Sequence, residues 1–220
     1  MFSKNTLYRA LNELARRSDL FGKLKDNLAI RLWLKAGKPV PPPQVVKRRI
    51  VSSYASEFRP TTFIETGTYL GDMDYAVKGM FQAIFSIELS EDLWRRAANR
   101  FRANSHIQIL QGDSGQLLPQ VLSSISNNCL FWLDGHYSGG ITAKGNSETP
   151  VVKELEAIFV HKAQGHVILI DDARCFNGTH DYPTLDRLQE LVALNRPDYA
   201  FSVLNDVIRI HPRRKVQCEF

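Results

Sequence analysis

The chain has 220 residues, 44% of them hydrophobic and 23% charged. That composition suits one folded α/β domain with a short appendage, and it excludes a disordered, collagen-like or low-complexity chain. The net charge of +5 is unevenly placed, with 13 Lys+Arg against 4 Asp+Glu in residues 1–60 and 15 against 19 in residues 61–220.

The first segment reads as helical. Leu7, Leu11, Leu14 and Ala15 recur at helical spacing, as do Leu20, Leu24, Leu28 and Leu32, which predicts one or two helices over residues 5–36. Gly37 ends the second run. The stretch KPVPPPQ (38–44) then forbids a helix and reads as a stiff strap. Another helix is expected over 45–58, before Pro60. Residues 1–60 are therefore expected to form a basic helical extension, set apart from a main domain over residues 61–220.

From residue 61 short apolar runs alternate with amphipathic helices. Strands are expected at 61–65, 83–88, 107–111, 129–133 and 166–170. Helices are read in DMDYAVKGMFQ, SEDLWRRAANRFRA, GQLLPQVLSSI, TPVVKELEAIFVHKA and YPTLDRLQELVALN. Ser90 with Glu91 and Asp92, and Thr149 with Pro150, are helix-start signals. YAFSVLN and DVIRIHP close the chain as a hairpin around Asn205-Asp206. Alternating β and α elements imply a parallel sheet covered on both faces. The expected fold is a three-layer, Rossmann-like α/β domain with a seven-stranded, mostly parallel sheet and an antiparallel terminal strand.

The three cysteines, Cys129, Cys175 and Cys218, are odd in number and none has CxxC spacing, which argues against a disulfide framework or zinc ribbon. No apolar run approaches the roughly 20 residues of a membrane span, and the first residues lack a signal peptide's apolar core. A cytoplasmic protein is expected.

Ligands of open α/β sheets bind at the carboxyl ends of the strands. Here those ends read ETGTYLGD, IELSED, QGDSGQ, LDGHYSGG and IDDARCF. Gly67 and Gly71 permit tight turning and close approach of a ligand to the backbone. Glu88, after the second strand, suits the two hydroxyls of a ribose, and Asp113 with Ser114 suits an adenine. Glu65 suits an ammonium group and disfavours a pyrophosphate.

With these residues in place, residues 61–212 resemble the class I S-adenosylmethionine-dependent methyltransferases. The resemblance implies S-adenosyl-L-methionine as cofactor. It implies that Glu65, Gly67, Thr68 and Gly71 line the methionine part, that Glu88 holds the ribose and that Asp113 and Ser114 lie near the adenine. The loop departs from the family's common GxGxG by being GxxxG.

Asp134, at the end of the fourth strand, and Asp171 and Asp172, at the end of the fifth, should lie close together. Three such carboxylates repel unless protonated or bound to a cation, and oxygen ligands suit a hard ion such as Mg2+. The pattern is similar to that of metal-dependent small-molecule and sugar O-methyltransferases, which carry DGD and DD at these places. The resemblance implies Asp134, Asp171 and Asp172 as metal ligands. This chain has DGH, so His136 stands where the family's base stands, and imidazole is a competent base at neutral pH. Plainer roles are open to the same residues. Asp134 could orient the cofactor or cap a loop, His136 could be a ligand or structural partner, and Asp172 could cap the next turn. The glycine-rich stretch 138–148 reads as a loop over the site, and Asn177 and His180 as substrate-rim contacts.

The expected substrate is a small molecule or glycan. A dinucleotide dehydrogenase would need GxGxxG, whereas Thr68, Tyr69 and Leu70 separate the two glycines here. A nucleic-acid methyltransferase would suit the basic extension, but no NPPY motif is present, and Cys129 is poorly placed for a cytosine nucleophile. No nucleic acid is therefore expected as partner. A non-catalytic, membrane-associated scaffold is the third reading, because LFGKLKDNLAIRLWLKAG interleaves cations with Leu, Ile and Trp. Peripheral membrane contact and a homodimer contact are both candidate uses of the extension.

Overall fold

The computed structural model describes residues 19–135 and 149–213, with side chains from residue 22. The chain divides into two compact units, one up to Arg49 and one from Ile50 onward.

In the first unit, α1 (Asp19–Lys35) ends where Gly37 takes a positive φ of 82° and the Lys38 N–H returns to the Trp33 carbonyl at 3.0 Å. A left-handed glycine just past the last turn is a standard helix stop. The Trp33 indole donates to the Pro39 carbonyl at 2.8 Å, which ties the proline strap to the helix. Helix α2 (Gln44–Phe58) begins in this unit, and Arg48 donates to both carboxylate oxygens of Asp26, at 3.1 and 3.2 Å. The helix expected before Asp19 lies outside the described residues.

The second unit holds seven strands: β1 (Thr62–Thr66), β2 (Ala83–Glu88), β3 (Ile107–Gln111), β4 (Cys129–Leu133), β5 (Val167–Ile170), β6 (Tyr199–Leu204) and β7 (Val207–Pro212). Their order is β3-β2-β1-β4-β5-β7-β6. The first five pair in parallel, and β7 is antiparallel to both β5 and β6. Asn205 and Asp206 both take positive φ (52° and 62°), as a two-residue hairpin of the expected type requires.

Five helices connect the strands: α3 (Asp72–Val77), α4 (Glu91–Phe101), α5 (Ser114–Ser123), α6 (Val151–Val160) and α7 (Leu185–Asn195). Every residue of β1, β4 and β5 is buried, so both faces of the central sheet are covered. On one face Ile64, Phe131, Leu133, Ile168 and Ile170 pack with Leu118 and Leu122 of α5, Leu155 and Ile158 of α6 and Leu188 of α7. Helix α3 is shorter than its sequence suggests. The chain turns at Val77–Met80, and the Phe81 ring stacks on Phe63 at 5.2 Å, which leaves two residues before β2. Among the described residues no helix is long and apolar enough to cross a membrane.

Candidate active site

Strand register assembles the site. Thr66 pairs with Ile87 and with Leu133, and Leu133 pairs with Ile170. The residues that follow, Gly67, Asp134 and Asp171, therefore emerge side by side at one edge. The Asp134 N–H donates to the Thr66 carbonyl and the Asp171 N–H to the Leu133 carbonyl, both at 3.0 Å.

The glycines of the first loop have steric reasons of their own. A Cβ on Gly67, whose φ is 83°, would lie 2.3 Å from the Asp134 carbonyl oxygen. A Cβ on Gly71 (φ 69°) would meet the Phe101 ring at 2.5 Å. Glu88 organises the same loop. Its carboxylate accepts from the Tyr69 and Ser90 N–H groups, each at 2.8 Å. Burial raises its pKa, and those backbone donors oppose the rise. The Thr68 hydroxyl is turned inward, 2.7 Å from Ser86 Oγ, which donates to Glu65 Oε2 at 3.2 Å.

The last two residues of β1 each meet a buried acid. Glu65 is only 3% exposed, and burial followed by the neighbouring Asp74 carboxyl pushes its pKa well above the ordinary range. Asp74 is itself raised to about 6, again first by burial. Glu65 and Ser86, both beside Asp74, act to lower it again. The carboxyl that the sequence offers to an ammonium group is here buried and accepts from the Ser86 hydroxyl. Toward the other face stands Glu154 of α6, whose Oε1 accepts from the Ser114 hydroxyl at 2.6 Å. Burial raises Glu154 to about 7, while Ser114 and Thr66 act to lower it. Asp113 caps α5, accepting from the Gly115 N–H at 2.8 Å.

Beyond β4 and β5, one carboxylate oxygen from each of Asp134, Asp171 and Asp172 lies within 4.8 Å of the others. Asp171 and Asp172 are buried. Asp171 Oδ1 accepts from the Asp172 N–H at 2.8 Å, and Asp172 sits in the left-handed region (φ 56°). Asp172 Oδ1 accepts from Arg174 at 2.8 Å, and the same guanidinium is paired with Asp206 of the hairpin turn. An all-carboxylate set at this spacing, with two members buried, fits a hard divalent cation. Arg174, paired with Asp172, offsets part of the negative charge of the cluster.

His136 and the stretch 138–148 lie outside the described residues. Of the expected rim, Asn177 Oδ1 accepts from the N–H and hydroxyl of Thr179, and His180 takes a positive φ of 53°. Sequence reading does not pick out Asp74, Ser86, Glu154, Arg174 or Tyr182, and it reads Asp206 only as a turn residue. The Tyr182 phenol is raised by burial, then by Cys175 and Asp172, and its ring meets Phe176 edge-on at 5.1 Å. Arg174, two residues after the aspartate pair, is the one with a local signal. The Cys129 thiol is buried and pushed up to about 12, as a core residue.

No protein-family model matches the sequence, and no curated protein matches it. Solved structures do. The O-methyltransferase TomG from Streptomyces achromogenes, involved in tomaymycin synthesis and bound to SAM, is 13% identical over 86% of this chain and 89% of its own, with a TM-score of 0.57. The SAH-bound methyltransferase PaMTH1 of Podospora anserina is 15% identical over 97% and 98%, with a TM-score of 0.55. The N-methyltransferase NodS of Bradyrhizobium japonicum is 13% identical over 78% and 97%, with a TM-score of 0.52. The chain has the Rossmann-like fold of the class I S-adenosylmethionine-dependent methyltransferases.

Proposed function

We propose that this protein is an S-adenosylmethionine-dependent methyltransferase that methylates a hydroxyl oxygen on a small molecule or sugar, assisted by a divalent cation. The observation that carries the reading is the Asp134–Asp171–Asp172 cluster at the carboxyl edge of a methyltransferase-type sheet. The O-methyltransferase character of TomG, a neighbour in fold, supports the choice of oxygen.

S-adenosylmethionine would supply an electrophilic methyl group, held over the Gly67–Gly71 loop with its ribose toward Glu88. The three aspartates would hold the cation, whose Lewis acidity lowers the pKa of a hydroxyl. His136, two residues beyond Asp134, would take the hydroxyl proton. Asp113 and Ser114 would flank the adenine, with Glu154 holding Ser114 from beneath. Free thiols at Cys129 and Cys175 fit a reducing compartment.

Calorimetric titration of S-adenosylmethionine, with Mg2+ and then with EDTA, tests the reading. Saturable binding in the micromolar range is expected. Separately, Mg2+ titrated into the protein should give heat that Asp171→Asn removes. Absence of cofactor binding in both buffers would overturn the reading. Cofactor binding with no Mg2+ heat would remove the metal while leaving the methyltransferase.

A further inference from the structure

Helix α1 is apolar on two sides. One side is engaged within its own unit: Trp33 is buried with its indole on Pro39, and Asp26 is ion-paired to Arg48. The other side carries Leu24, Leu28 and Leu32, which are 60%, 58% and 58% exposed. Spaced by four, they fall within an arc of roughly 80° and run along the helix for about 12 Å. Arg31 and Lys35, both exposed, lie in or beside the same arc, and Lys25, half-buried, stands at its flank. Asp26 faces the opposite way. Over residues 19–49 there are eight Lys and Arg against two Asp.

We propose that this face of α1 docks on an anionic lipid bilayer. The charge pattern selects that occupant. Two copies of the face laid against each other would oppose Arg31 and Lys35 to their own kind, with no acid in the arc to answer them. A nucleic acid would meet three leucines at the centre of the face, where it needs cations. An anionic membrane satisfies both features at once. Leucines enter the acyl boundary, while long basic side chains keep their heads among the phosphates. The proposal is independent of the methyltransferase reading. On that reading, though, it would hold the catalytic unit near membrane-associated acceptors.

The test is cosedimentation of the full-length protein with vesicles of phosphatidylserine and phosphatidylcholine, against vesicles of phosphatidylcholine alone. Wild type should pellet with the anionic vesicles at least tenfold more than with the neutral ones, and less at high salt. The substitutions L24E, L28E and L32E together should abolish pelleting, and R31E with K35E should reduce it about tenfold. Unchanged circular dichroism and thermal midpoints would show that the variants fold. Equal pelleting of wild type and the triple variant would overturn the proposal. So would sedimentation velocity showing a lipid-free dimer that the triple variant dissolves, because the face would then belong to a second copy.

Discussion

Arg174 and Asp206 are ion-paired although 32 residues separate them. Arg174 lies in the turn after β5, and Asp206 lies in the tight turn between β6 and β7. The Arg174 N–H also donates to Asp206 Oδ1 at 2.9 Å, and the Ala173 N–H to the Asp206 carbonyl at 2.9 Å. The antiparallel hairpin therefore pins the turn that presents Asp171 and Asp172. Terminal strands that look like a cap on the sheet become part of the support of the acidic cluster.

Arg174→Ala should lose about 2–3 kcal/mol of stability. It removes the counter-charge from two buried carboxylates, and the figure is discounted because the Arg174 side chain is 38% accessible. Urea denaturation measures the loss. Added Mg2+ should restore more stability to this variant than to wild type, since binding to the folded state is linked to stability and the site has become more negative. Equal Mg2+ effects on both proteins would count against a cation at the aspartates.

Gly67→Ala should be severe for a reason local to the backbone. The new Cβ would meet the Asp134 carbonyl oxygen at 2.3 Å, and the residue sits at φ 83°. Strain in the left-handed region and a clash with backbone that cannot rotate away together cost about 3 kcal/mol. Because the clash pushes β1 and β4 apart at the site, calorimetry should show weaker cofactor binding even where the variant folds. A variant with wild-type stability and affinity would refute this account of the loop.

How far the sequence reaches depends on the range of the interactions. Strand positions come within a residue of those observed because apolar runs and turn residues are local signals. The placing of Asp134 beside Asp171 and Asp172 follows from parallel pairing alone, so it too is legible. Glu65 is different. Its position at the end of β1 is visible in the sequence, but whether it faces a ligand or the interior depends on Ser86 and Asp74. Glu154 and Asp74 look like ordinary polar positions on amphipathic helices until the helices dock. The Arg174–Asp206 pair needs the hairpin to be laid against β5 before either residue has a partner.

Glu154→Gln should change how stability depends on pH. In the folded protein Glu154 is raised from 4.5 to about 7. Between those values the unfolded chain has released its proton and the folded chain has not, so stability falls as pH rises through the window. Above it the full penalty is about 3 kcal/mol. Asp74, raised to about 6, contributes with the same sign at slightly lower pH. Glutamine keeps an acceptor for the Ser114 hydroxyl and cannot ionise. Unfolding free energies at pH 5 and pH 8 should therefore differ less in Glu154→Gln than in wild type. Identical differences would mean that the carboxyl is already ionised at pH 5.

His166 should govern the acid limb. It precedes β5, and its Nδ1 accepts from the Cys129 N–H at 3.0 Å. Its Nε2 must then carry the proton and donate to His161 Nδ1, 2.9 Å away, while His161 Nε2 donates to the Ile125 carbonyl at 2.9 Å. The chain of contacts thereby holds each ring in one orientation. Burial, then the His161 ring and Arg196, lower His166 from 6.5 to about 4. Its contribution is complete above pH 6.5. It is lost as pH falls toward 4, where the unfolded chain has taken up a proton that the folded one refuses, and the loss is about 3 kcal/mol. His166→Phe keeps the edge contact with Phe131, now at 5.3 Å between ring centres. It orphans the Cys129 N–H and should cost about 1–3 kcal/mol at pH 8. The variant should nevertheless show a flatter decline in urea-measured stability between pH 6.5 and pH 4 than wild type. An equally steep decline would assign acid sensitivity to other groups and leave the histidine pair as packing alone.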